Sequence, residues 1–109
     1  MSATAQWRQL GDSAELDDYL VVPYYLADVQ HRVSVARVAD TLYAFDDLCP
    51  HDRCALSAGL LDGTVIKCQC SGCRFDIVTG AVLQGPATTP LRVYQVRESD
   101  GKLSALTGE

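Results

Sequence analysis

The sequence has no run of about 18 apolar residues, so no segment is long enough to cross a bilayer as a helix. Met1 to Trp7 has neither the basic start nor the apolar stretch of a secretory leader. The expectation is a soluble, cytoplasmic protein with no membrane partner. Basic residues are few, with nine Lys and Arg against 14 Asp and Glu and a net charge of −5, which argues against nucleic acid as a partner because phosphate binding needs a basic face. There is no glycine-rich phosphate loop and no nucleophile, base and acid set, and 109 residues leave no room for a flavin or nicotinamide domain. Cysteine is absent before Cys49 and after Cys73. A disulfide framework spread through the chain is therefore excluded.

What is present is one domain's worth of chain with 48% hydrophobic residues, enough to close a single core, and no linker, repeat or low-complexity tract marks a boundary. The negative charge is uneven. Met1 to Asp52 holds nine acids and three bases, whereas Arg53 to Glu109 holds five acids and six bases. An acidic half suits docking to a basic patch on a partner, or is only a solvated surface.

Short segments rich in β-branched and aromatic residues, separated by turn residues, predict an all-β sandwich. The strand candidates are Tyr19–Leu26, Arg32–Val38, Thr41–Asp46, Thr64–Cys68, Phe75–Val78, Ala81–Leu83, Leu91–Arg97 and Leu103–Leu106. Asp62-Gly63, Thr79-Gly80 and Asp100-Gly101 mark tight turns. Pro23 predicts an edge strand or a bulge, since proline cannot donate to a ladder. Asp12 with Glu15 has the form of a capping box and predicts one short helical turn. The pairs Leu42, Ala44 and Tyr43, Phe45 have the period of two expected of a strand with two different faces. Tyr24, Tyr25, Tyr43 and Tyr94 read as core or edge packing.

All five cysteines fall between Cys49 and Cys73. In a chain without a secretion signal such a cluster reads first as metal binding or redox chemistry. Cys49-Pro50-His51 follows one strand, and a thiolate and an imidazole two positions apart can face one metal from a tight loop that Pro50 stiffens. Cys68-Gln69-Cys70-Ser71-Gly72-Cys73 follows another. Two strand-end loops carrying soft ligands can clamp a cluster between their tips. A zinc site on Cys49, His51, Cys68 and either Cys70 or Cys73 fits the same donor types.

These loops resemble the Rieske iron–sulfur family, in which Cys-x-His and Cys-x-x-His loops hold a two-iron, two-sulfur cluster through two cysteines on one iron and two histidines on the other. The resemblance extends to Tyr43-Ala44-Phe45-Asp46-Asp47-Leu48 before the first loop and Leu56-Ser57-Ala58-Gly59 after it. It continues through Arg74-Phe75-Asp76, Thr79-Gly80, Gly85-Pro86-Ala87 and Pro90-Leu91 with Tyr94 and Val96. It implies a single Rieske domain over residues 1–109, an antiparallel β sandwich with a smaller cluster-binding subdomain. The cluster loops would lie at about 46–58 and 67–76, with a covering proline loop at about 84–88.

One position departs from the family: Ser71 stands where the second histidine belongs, and the only other histidine, His31, lies far upstream. The family often has a serine directed at the cluster two residues after that histidine, which is the place of Cys73. Cys54 and Cys70 occupy positions that form a disulfide in the Rieske proteins of respiratory cytochrome complexes. The resemblance thus implies ligation by Cys49, His51, Cys68 and Cys73, with a possible Cys54–Cys70 bridge. Completion of the site by Ser71, Cys70 or water, and loss of the cluster, remain open at this stage.

The implied function is electron transfer on a [2Fe-2S] cluster, as the ferredoxin component between a reductase and a terminal oxygenase. The implied alternative is a structural subunit whose cluster is degraded. A thiolate in place of an imidazole adds negative charge, so a lowered reduction potential is expected, with a shallower pH dependence than two histidines give. Phe75, where higher-potential relatives have a tyrosine, implies the same direction.

Overall fold

The computed structural model of the chain describes residues 6–27 and 30–107. Eleven strands form three antiparallel sheets: β1 (Gln6–Asp12), β2 (Val21–Leu26), β3 (His31–Val38), β4 (Thr41–Asp46), β5 (Leu60–Asp62), β6 (Val65–Lys67), β7 (Arg74–Asp76), β8 (Val82–Gln84), β9 (Val93–Tyr94), β10 (Val96–Ser99) and β11 (Lys102–Thr107). The orders are β1-β11-β10, β2-β3-β4-β9 and β5-β6-β7-β8. Two single-turn 3-10 segments, Ser13–Glu15 and Leu56–Ala58, are the helical content among the described residues.

The second sheet is the middle layer, and its residue alternation explains why. Val33, Val35, Ala44 and Leu42 project toward a core shared with Leu103 of β11, Leu16 and Leu26. Ala36, Val38, Phe45 and Tyr43 project to the other side, where they meet Ile66, Phe75, Ile77, Leu56, Leu91 and the thiols of Cys49, Cys68 and Cys73. Both faces of β3 and β4 are thus covered, which is why β3 is buried without interruption from Val33 to Ala36. Phe45 and Phe75 are fully buried, each contributing roughly 1.5–3 kcal/mol through removal from water.

Pro23 lies in β2, at the edge of its sheet, where strands accommodate proline. Asp100 and Gly101, at φ 53° and 75°, close the β10–β11 hairpin with both central residues left-handed, the twist such hairpins favour. Ala39 and Asp40, at φ 50° and 67°, do the same between β3 and β4 without a glycine.

Several expectations are corrected. The capping box does not form: Asp12 makes no side-chain cap, and its carboxylate pairs instead with Lys102 across the β1–β11 ladder. Tyr19 and Leu20 stand outside β2, with Tyr19 at φ 64°. Leu91–Arg97 is not one strand, because Gln95 separates β9, which joins the middle sheet, from β10, which joins the first. Tyr25 is 63% exposed and packs in neither core. Strands β1 and β5 are additions.

Candidate functional site

The first loop leaves β4 at Asp46 and returns through the 3-10 turn at Leu56, while the second connects β6 to β7. The two have the same backbone construction. Cys49 N–H donates to the Cys54 carbonyl (2.9 Å) and Arg53 N–H to the Cys49 carbonyl (2.8 Å). Likewise Cys68 N–H donates to the Cys73 carbonyl (2.8 Å) and Gly72 N–H to the Cys68 carbonyl (2.9 Å). Each loop therefore starts on a buried thiol and turns back on a left-handed residue four positions later, Arg53 at φ 63° and Gly72 at φ 78°. A disulfide between Cys54 and Cys70 joins the two loops.

Three free thiols, Cys49, Cys68 and Cys73, are fully buried beneath the loops. Burial pushes the Cys49 thiol up to about 11, with the Cys68 thiol close enough to bond it. Cys73 Sγ accepts hydrogen bonds from Ser71 Oγ (3.0 Å) and from the backbone N–H of Ala87 (3.3 Å). The Gly85-Pro86-Ala87 loop thus reaches over the second loop, with a cis bond at Pro86. His51 is exposed.

Asp52 was not foreseen as a site residue. Three positions after Cys49, it matches Ser71, three after Cys68. Its oxygens lie 3.5 Å from Cys68 Sγ. The Cys54 N–H and then the side chains of Ser71, Cys49 and Cys68 hold its carboxyl down at about 2. Asp52 and the sulfurs of Cys54, Cys68 and Cys70 lie within 4.8 Å of one another, a grouping that includes Asp52 and not His51. Two of those sulfurs are committed to the disulfide. The sequence signal for Asp52 was its offset, equal to that of Ser71 in the other loop.

The loops are anchored from below by Asp47, also unforeseen. It continues the alternation Tyr43, Phe45 into the covered side, and its carboxylate is fully buried. It accepts from Ser34 Oγ (2.7 Å) and Ser57 N–H (2.9 Å). Arg32 meets it as an ion pair without the alignment of a hydrogen bond. One side chain therefore ties β3, β4 and the far end of the first loop together. Beside it, His31 Nε2 and Tyr94 Oη both engage Asp46, and lie 2.8 Å from each other. That network, not metal ligation, accounts for His31.

Buried thiols facing one another from two loops, bridged at their sides and capped by a third, define a class: an all-β scaffold that holds a metal–sulfur group. The soft donor set of Cys49, Cys68 and Cys73 fits a [2Fe-2S] unit. The model of the Rieske [2Fe-2S] domain matches residues 6–95. Ferredoxin CarAc of Metapseudomonas resinovorans is 41% identical over 71 residues, covering 65% of this chain and 66% of that protein. The anthranilate 1,2-dioxygenase ferredoxin subunit of Burkholderia cepacia is 34% identical over 104 residues, 95% of this chain and 94% of that one. Among solved structures, the ferredoxin of Sphingomonas yanoikuyae B1 superposes with a TM-score of 0.86 at 30% identity, covering 94% of this chain and 99% of the other. The chain belongs to the Rieske [2Fe-2S] domain family.

Proposed function

We propose that the chain, as a single domain over residues 1–109, is the cytoplasmic ferredoxin component of an oxygenase system, carrying single electrons from a reductase to a terminal oxygenase. Cys49, His51, Cys68 and Cys73 would hold its cluster. The observation that carries this reading is the set of three free, fully buried thiols under two disulfide-joined loops. A bound [2Fe-2S] unit supplies one-electron oxidation and reduction. The chain's own groups supply the rest. Burial of the thiols keeps water away, and the N–H of Ala87 and the hydroxyl of Ser71 donate toward Cys73 Sγ, which stabilises negative charge on that sulfur. Exposed His51 offers the face a partner approaches. The relatives named above are ferredoxins, and that of Burkholderia cepacia is the ferredoxin subunit of an anthranilate 1,2-dioxygenase, which supports this reading.

Ser71 in the histidine slot favours a second reading, a structural subunit that has lost its cluster. One experiment separates the two: iron and sulfide content with electron paramagnetic resonance of the dithionite-reduced protein, on the wild type, Cys73→Ala and Ser71→Ala. The carrier reading expects stoichiometric iron and sulfide, a signal on reduction, and a spectrum changed by Cys73→Ala much more than by Ser71→Ala. A colourless wild type, or one loaded with zinc, would reject it.

A further inference from the structure

Both carboxylate oxygens of Asp52 lie 3.5 Å from the sulfur of Cys68, one of the thiols in the proposed ligand set. No cation offsets the charge. Among the described residues Asp52 takes part in no ion pair. The groups that hold its carboxyl down at about 2 are the Cys54 N–H first and then the side chains of Ser71, Cys49 and Cys68, none of them basic.

The architecture of the loop does not account for that charge. Asp52 Oδ1 accepts from the Cys54 N–H (3.0 Å), closing a turn two residues on, and an asparagine closes such a turn equally well. The sister loop has a neutral hydroxyl, Ser71, at the same offset from its first cysteine. The Cys68 S–H donates to the carboxylate. A cysteine that binds iron does so as a thiolate, without that proton, which sets two negative groups side by side. Electron uptake adds one more negative charge at the same place. A carboxylate fixed there opposes the addition, all the more because Cys49, Cys68 and Cys73 are buried away from water.

We infer that Asp52 is a tuning residue: its carboxylate lowers the reduction potential of a [2Fe-2S] unit held by Cys49, His51, Cys68 and Cys73 below what those ligands alone would set. The inference rests on the carrier reading. It gives the lowered potential expected from the sequence a second source, separable by mutation from the thiolate of Cys73.

The test is a redox titration of the cluster-loaded chain, followed by its visible spectrum, for the wild type, Asp52→Asn, Asp52→Glu and Asp62→Asn. Asp52→Asn keeps the turn and removes the charge. At the ambient potential that half-reduces the wild type, its reduced-to-oxidised ratio should rise about fivefold, the size of one partly screened charge contact. Asp52→Glu should stay much nearer to the wild type than to Asp52→Asn. Asp62→Asn removes the same charge from the exposed β5–β6 hairpin and should change the ratio far less. Equal melting of Asp52→Asn and the wild type separates tuning from lost folding. An unchanged or lower ratio in Asp52→Asn, an equal rise in Asp62→Asn, or a rise in Asp52→Glu as large as that in Asp52→Asn would overturn the inference. A coloured, reducible chain with any of these results keeps the carrier reading. A colourless wild type rejects the carrier reading and this role with it.

Discussion

The two halves of this molecule are held together by different physics. Around Val33, Val35, Ala44 and Leu103, the body is built from strands of six to eight residues whose side chains need only be apolar and well packed. The lobe that carries β5 to β8 has strands of three residues each, and its core contains three thiols among the hydrocarbons. Such short ladders give few cooperative hydrogen bonds, so the lobe depends on the disulfide, the covering proline loop and the shared middle sheet. The longer ladders thus lie in the body, and the three buried thiols in the part with the shorter ones.

Large-to-small substitutions test that contrast most severely. Phe75→Ala in the lobe should cost about 3–5 kcal/mol in urea unfolding and lower the iron bound per folded chain. Leu103→Ala in the body should cost about 2–5 kcal/mol yet leave iron per folded chain unchanged. Equal loss of iron in both variants would erase the distinction. Next in size, Cys54→Ser combined with Cys70→Ser opens a cross-link between residues 16 apart, worth about 3 kcal/mol at most. Hydrogen exchange in that variant should rise at β5 to β8 and not at β3.

Asp47→Ala removes the side chain that joins the halves. Breaking a buried ion pair typically costs 3–5 kcal/mol, but Arg32 is 40% exposed, so about 2–3 kcal/mol is expected. Thermal melts should split into two transitions if Asp47 couples lobe to body. The smallest effect belongs to Glu98 in the body, whose carboxyl is held below its usual range by the Ser13 hydroxyl first and Arg37 next. A lowered folded-state pKa gives stability that is present above the unfolded value and is lost as pH falls through the folded one. Glu98→Gln should therefore flatten the decline of stability below about pH 4.5 and change nothing at pH 7 beyond the pair itself.

The lobe was more legible in the sequence than the body, although it is the less regular part. Cys49, Cys68 and Cys73, the three buried free thiols, stand out in the sequence because soft donors at tight spacing have few other uses. Pro23, Gly63, Gly80 and Gly101 likewise carry their backbone conformations openly. Strand β1 was missed because Gln6–Asp12 has little β-branched content and is recruited by β11 from the far end of the chain, a pairing no local pattern encodes. Its ladder is also irregular, with a register shift between Gln9 and Gly11. The strand bounds left Ala39 and Asp40 as a turn, but its left-handed conformation was hidden because tertiary pairing imposes what alanine does not advertise. Neither Asp47 nor Asp52 is singled out by the sequence, where both are acids flanking the first loop. Only the fold reveals that one is buried under the first loop and the other turned toward Cys68.

The central claim is that thiols from both loops bind one iron–sulfur unit together. Iron K-edge X-ray absorption of the purified protein examines it directly. A first shell dominated by sulfur, with a minor nitrogen contribution removed by His51→Ala and a short iron–iron distance lost in both Cys49→Ser and Cys68→Ser, is the predicted result. Iron surrounded by oxygen and nitrogen, or an iron–iron distance that survives either cysteine substitution, would contradict it.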